Sequence, residues 1–209
     1  TDSGNNVGWN IVGELLPGTN VWTGTKGTDW ATADNWSLMR APIEGDAVVV
    51  NLPDSGTCPT LVNDATVADV TVGAGATLSV AGTLNLTGAL TVRGALSGSG
   101  MVRLAGGTAD LTSGQVNLST GTLRVEASSA VTLDLAADAF VDTVELMPNG
   151  NSVRLPNGVT ATKLVANGGG AIVLGEGTLA DVSDLIVDGF TSGALGLSAG
   201  GAAWRLNVR

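Results

Sequence analysis

Apolar and polar residues alternate most regularly over 77–106, which reads TLSVAG, TLNLTG, ALTVRG, ALSGSG, MVRLAG. Every sixth residue is Gly (Gly82, Gly88, Gly94, Gly100, Gly106), and the second place of each unit is Leu or Val (Leu78, Leu84, Leu90, Leu96, Val102). The fourth place is Val80, Leu86, Val92 and Leu104, with one lapse at Gly98. Residues two apart on a strand share a face, so the two apolar positions look one way and the small or polar residues between them look the other. Four residues of strand closed by a Gly make a straight side and a corner. Such a unit is too short to bury its own apolar pair, whereas stacked coils lay Leu and Val on those of the coil beneath. Three units make a coil of roughly eighteen residues, which places Leu78 under Leu96 and Leu84 under Val102. The pattern predicts an all-β fold, a single-stranded parallel β-helix (β-solenoid). The competing antiparallel meander needs two-residue turns of Asn-Gly or Asp-Gly type, and single-Gly joints suit it poorly. At Gly98, where a branched apolar residue belongs, a coil is expected to narrow or bend.

After Gly106 the hexads loosen but the alternation continues. It predicts strands over 115–118, 122–126, 130–135, 141–147, 152–155, 162–166, 171–174, 183–187, 194–197 and 203–208. In TLRVEA, Leu123 and Val125 point inward while Arg124 and Glu126 point outward. In AVTLDL the inward set is Val131, Leu133 and Leu135, with Asp134 outward. Asn and Gly tracts at 148–151, 157–158 and 167–170 mark corners. The segment 137–140 reads as one helical turn. Upstream, the first strand read from the pattern is 47–51.

The residues before that strand differ in kind. Four of the five Trp (Trp9, Trp22, Trp30, Trp36) fall in the first 36 residues. They are interleaved with turn residues and followed by Pro42 and Gly45-Asp46. An open solenoid end exposes unpaired strand edges and an apolar cross-section, and both invite association unless covered. The chain therefore divides into a Trp-rich N-terminal cap, 1–46, and a solenoid with a closing strand, 47–209. A cap is one use for Trp22, Trp30 and Trp36, since indole buries a large area and can still satisfy its N–H. The other is a platform on which a glycan or partner stacks.

Composition narrows the function classes. With Lys and Arg at 9 against 19 Asp and Glu, the formal charge is −10. A nucleic-acid backbone is repelled by that balance, and anionic membranes are disfavoured. No apolar run reaches the ~20 residues of a membrane helix. The polar opening Thr1-Asp2-Ser3-Gly4 reads as a mature or excised chain without a leader. The single Cys58 cannot form an internal disulfide and reads as a small buried thiol.

The order Val-Trp-Thr-Gly, Trp, Asp-Asn-Trp, Pro-x-x-Gly-Asp-x-Val-Val-Val also carries a resemblance. It comprises Trp22, Gly24, Trp30, Asn35, Trp36, Pro42, Gly45 and Asp46, continued by Pro59 and the run 67–88. Over about 21–106 the chain resembles modules of bacterial secreted and cell-surface β-helix proteins, autotransporter- and adhesin-like, with similar segments in phage structural proteins. The resemblance implies a right-handed parallel β-helix in an extracellular, cell-surface or virion setting. It supplies no catalytic residues. Around Trp9 and Trp204 both ends echo the close of such a module, which suggests a tandem or end-to-end array whose partners are further copies or neighbouring subunits.

Candidate chemistry is sparse. The chain has no His, which removes Ser-His-Asp and Cys-His catalysis, and one Cys makes a poor zinc site. No cofactor is expected. Calcium is the remaining metal, with oxygens from Asp29, Asp34 and Asp46 or from Asp181, Asp184 and Asp188, although Asp at corners also serves turn geometry. A polysaccharide hydrolase on a β-helix needs two carboxylates facing across a groove. Asp110, Glu126, Asp134 and Glu145 are the outward candidates, and scattered outward acids equally form a solvated surface. The sequence thus predicts a non-enzymatic structural or adhesive module, with glycan binding, or less favourably polysaccharide cleavage, as alternatives.

Overall fold

The computed structural model describes residues 15–136, 138–156 and 160–174, together with the backbone of Val182–Asp188, Leu195–Gly196 and Arg205–Val208. All named strand pairings are parallel and each joins one coil to the next, which is a β-solenoid. One ladder is a nine-stranded sheet running from Thr19–Val21 through Ala47–Val50, Asp69–Val72, Leu90–Val92, Ala109–Leu111, Val131–Leu135, Ser152–Leu155 and Ala171–Leu174 to Leu195–Gly196. Six complete turns separate Ala47–Val50 from Ala171–Leu174 along it.

The hexads stack as their period demands. Leu78 pairs in register with Leu96, and Leu84 with Val102. The strands Thr77–Val80, Thr83–Leu86 and Leu90–Val92 form three sides of one coil, and Ala95–Gly98, Met101–Leu104 and Ala109–Leu111 the next. Leu78, Leu84, Leu86, Leu90, Leu96, Val102 and Leu104 are fully buried. The hexad glycines serve mostly a different purpose from corner dihedrals. A Cβ on Gly94 would stand 2.2 Å from the Ala76 carbonyl oxygen, and one on Gly100 2.0 Å from that of Gly82. Glycine is needed there because consecutive coils touch through their backbones.

The coil changes shape after Gly98. Gly98 sits at φ +131°, opposite Val80, and a Cβ there would lie 1.9 Å from the Val80 carbonyl oxygen. In the following coil the two sides expected at 115–118 and 122–126 are one strand, Gln115–Glu126. It pairs with Ala95–Gly98 through its first residues and with Met101–Leu104 through its last. The eleven-stranded sheet branches at this strand. The described coils beyond have two sides, Phe140–Met147 with Ser152–Leu155, then Ala161–Asn167 with Ala171–Leu174. The lost corner survives as a slip of phase. The register of Gln115–Glu126 against Phe140–Met147 shifts between Leu118 and Thr122, and inward residues run Val141, Val144, Leu146 and then Ala161, Leu164, Ala166. A bulge of this kind keeps the apolar phase while the strand runs on.

Outside the hexads the coil lengthens: Val48 pairs with Val70 and Val131 with Val153. One expectation is corrected. Segment 137–140 makes no helical turn among its described residues; Ala139 N–H closes a turn on the Ala136 carbonyl, and Phe140 already opens a strand. Among the described residues the one short helix is a 3-10 turn at Ala33–Asn35, in the cap. The inward sets Leu123, Val125 and Val131, Leu133, Leu135 are buried as the alternation requires.

Candidate functional site in the tryptophan cap

The cap is built on a short strand that the pattern did not mark, Thr19–Val21, which pairs with Ala47–Val50 and begins the nine-stranded sheet. Its other edge is closed by the cap's own chain. Ser37 N–H donates to the Val21 carbonyl at 2.8 Å, and Val21 N–H donates to Ser37 Oγ at 2.9 Å. Asn20, fully buried, accepts from Leu38 N–H and donates to the Arg40 carbonyl. These bonds occupy edge groups that another strand would otherwise find.

Trp36 is the centre of the apolar part. Trp22 and Trp30 stand edge-on to it, with ring centroids at 4.9 and 4.7 Å. The Trp36 indole N–H donates to the Trp30 carbonyl, and that of Trp22 to the Thr57 carbonyl, each at 2.7 Å. The exposures of Trp22, Trp30 and Trp36 are 2, 4 and 0%. A stacking platform needs a free ring face, so this placement does not fit a glycan contact by Trp22, Trp30 and Trp36. They are the core of the cap. Trp9 and Trp204 lie outside the described residues.

The polar part converges on Asp46, which is fully buried. Its Oδ1 accepts from Gly18 N–H and from Arg40 Nη2, both at 2.8 Å, and its Oδ2 from Ile43 N–H at 2.9 Å and from Arg40 Nη1. Its carbonyl accepts Ala68 N–H from the next coil. Burial opposes its charge, yet the Arg40 guanidinium and the two N–H groups more than offset that and hold its carboxyl below the ordinary range. Pro-x-x-Gly-Asp is therefore a latch: Gly45, at φ +87°, turns the chain, and Asp46 ties 18, 40, 43 and 68 together. Arg40 was missed from sequence, although Lys26 and Arg40 are the only cations in 1–46.

Asp29, Asp34 and Asp46 form no metal cluster. Asp29 accepts Thr32 hydroxyl and Ala31 N–H, bonds that hold its carboxyl low, and Asp46 is committed to Arg40. Among the described residues no three acid, Cys or His side chains are grouped for a metal. Asp181 is outside the described residues, and Asp184 and Asp188 are described as backbone alone. The four outward acids divide between the sheets. Asp110 and Asp134 are register partners in one column of the nine-stranded sheet. Glu126 and Glu145 lie on the other sheet beside Arg103 and Arg124. Neighbours in a column point the same way and do not face across a groove. Cys58, half-buried, accepts Thr77 N–H on its sulfur at 3.3 Å.

Two concavities accompany this framework. One, about 150 Å³, lies at the seam of cap and first coil, lined by Asp29, Trp30, Pro42, Leu61, Asn63 and Asp64 among others. The second, about 380 Å³, runs along a corner of three successive coils, with Thr77, Arg93, Ser113 and Gln115 on its walls. No protein-family model, curated protein or solved structure matches this chain. What the fold and the site define is a parallel β-solenoid whose N-terminal end is closed by a tryptophan and aspartate cap.

Proposed function

We propose that the chain is a non-enzymatic structural or adhesive β-helix module of a cell-surface, secreted or virion assembly, a rigid spacer that works by self-association or attachment. The observation that carries this reading is the outward face of the three-sided coils and of the strand that follows them. Thr60, Ser79, Ser97 and Asn117 stand in one register column, and Thr71 and Thr91 in another. Short side chains held in columns make flat faces that lose little rotamer entropy on contact. The sequence resemblance to surface and virion modules points the same way. Light scattering behind size exclusion over a hundredfold range of concentration tests it. Mass rising with concentration is expected, and a monomer throughout counts against self-association.

A saccharide-binding reading moves from the tryptophans to the corner groove. At about 380 Å³ the groove falls in the range of small-ligand sites and carries hydroxyl, amide and guanidinium groups. Loss of glycan-array binding in Arg93→Ala would favour it.

A further inference from the structure

The three indole N–H groups buried in the cap differ in one respect. Those of Trp22 and Trp36 donate to backbone carbonyls. That of Trp30 has no partner among the described residues, and Trp30 is 4% exposed. A buried donor left unpaired carries its full desolvation penalty, so an acceptor gains more there than at the surface. Trp30 lines the seam cavity, where Ala31, Ala41, Pro42, Leu61 and Ala65 supply apolar surface. The cavity forms because cap and coil pair only in part. Trp30 backbone N–H donates to the Thr60 carbonyl, whereas 41–42 makes no backbone hydrogen bond to 61–65, and Pro42 has no N–H to give. Its volume, about 150 Å³, is below the ~300–1,000 Å³ of drug-sized sites, so it admits a substituent and not a whole ligand.

The lining selects among acceptors. An anion is disfavoured, because Asp29 and Asp64 border the cavity, no Lys or Arg lines it, and the chain carries −10. An ammonium has no acceptor to offer the indole. A hydroxyl has one but brings nothing apolar to the alanine, proline and leucine walls. A neutral carbonyl bearing a methyl group matches both the donor and the walls. We propose that the seam cavity binds the acetamido group of an N-acetylated amino sugar, the carbonyl accepting the Trp30 indole N–H and the methyl lying against Pro42 and Leu61. Burial removes Trp30 as a stacking platform, but this contact uses the edge of the ring. The sugar ring stays outside, on the exposed run Val62-Asn63-Asp64, whose amide and carboxylate oxygens accept hydroxyls. An acetylated lysine carries the same group on a flexible apolar stem, without hydroxyls for that run, so the sugar is the better match. The site is separate from the corner groove and does not rest on the assembly reading.

The test is an NMR titration of the intact chain with N-acetylglucosamine, with glucose and glucosamine as controls. A saturable shift is expected at the Trp30 indole N–H and at the amides of 29–31 and 61–65, and neither control should reproduce it. Trp30→Phe keeps an aromatic ring and removes the donor. Read at the amides of 61–65, it should weaken binding about fivefold, the scale of one neutral hydrogen bond. Ala31→Phe, at an exposed position, leaves the indole in place, crowds the cavity and should abolish binding; it decides the matter if Trp30→Phe does not fold. Arg93→Ala should bind as wild type does, and loss of binding there would place the site in the corner groove instead. No saturation, equal shifts from glucose or glucosamine, or wild-type affinity in folded Trp30→Phe or Ala31→Phe would overturn the proposal. Tighter binding of an acetyl-lysine peptide than of the sugar would overturn the saccharide assignment in favour of a protein partner.

Discussion

Between Thr77 and Leu111 each coil has three short sides, and from Gln115 onward each described coil has two. Both halves bury alternate Leu and Val, so the difference does not come from hydrophobic content. It comes from where glycine allows backbones to touch. In the first half a Gly closes every sixth residue, and each turn lies against the turn below at distances no Cβ would permit. In the second half the hexad spacing is gone, the middle corner relaxes into a bulge, and two sides become one. The outward chemistry changes with it. The narrow sides carry mostly Thr, Ser and Asn, with Arg103 and Asp110 only in the last of their coils, whereas the broad strands carry Arg124, Glu126, Glu145 and Lys163. A longer strand places more outward residues beside neighbours in the next coil, and opposite charges in register can then pair.

The sharpest way to break this comparison is to remove the lapse that separates the halves. Gly98→Val restores the hexad pattern, and on pattern alone it should stabilise. The structure demands the reverse, since Gly98 combines φ +131° with a 1.9 Å approach to a backbone oxygen. A loss above about 4 kcal/mol is expected, in the range reserved for backbone and overpacking conflicts. A lowered urea midpoint checks this, and an unchanged or raised midpoint would show that the junction is not set by Gly98.

The cap provides the next test, because it holds the three-sided end by polar bonds where the coils rely on repetition. Asp46→Asn leaves Arg40 without its carboxylate and turns an amide N–H toward a backbone donor. About 3 kcal/mol should be lost, the lower range for breaking a buried pair. The acid limb follows in sign. Asp46 titrates lower in the folded chain than its unfolded value near ~3.9. Its contribution is complete above that value and disappears as pH falls through the folded pKa. Stability of Asp46→Asn should therefore fall less than that of wild type between about pH 4 and pH 2. Hydrogen exchange at Ser37 and Ala47 would report whether the loss is confined to the cap.

These contrasts also explain what was legible in the sequence. A period of two marks a strand locally, so Leu123, Val125 and Val131 were assigned to the interior correctly. A period of six marks a coil, so Leu78 was placed under Leu96. The union of 115–118 with 122–126 was hidden because Ser119-Thr120-Gly121 has the composition of a corner. Gly121 is needed instead beneath Gly100, where a Cβ would come within 2.6 Å of its carbonyl oxygen. Burial of the tryptophans was one of two readings their spacing allowed. The latch and the seam cavity were out of reach, since they join residues such as Gly18 with Asp46 and Asp29 with Asp64. No local period connects such pairs.

The smallest effect is expected where the halves meet on the surface. Arg103 belongs to the last three-sided coil and Glu126 to the first two-sided one, and they form an ion pair. Arg124 Nε also lies 2.6 Å from Glu126, and its Nη1 lies 3.6 Å from Glu145 in the next coil. The Arg103 bond, opposed by partial burial and helped by Arg124, keeps the Glu126 carboxyl below its usual range. Side-chain exposures of 35% for Arg103 and 18% for Glu126 leave the pair open to water and salt. Glu126→Gln should thus cost about 0.5–1 kcal/mol at low salt and close to nothing at ~1 M salt, where the screening length is ~3 Å. Glu145→Gln, with its longer contact, should cost less. A Glu126→Gln loss that persists undiminished at high salt would mean that this charge column is a structural weld between the two halves and not a surface pairing.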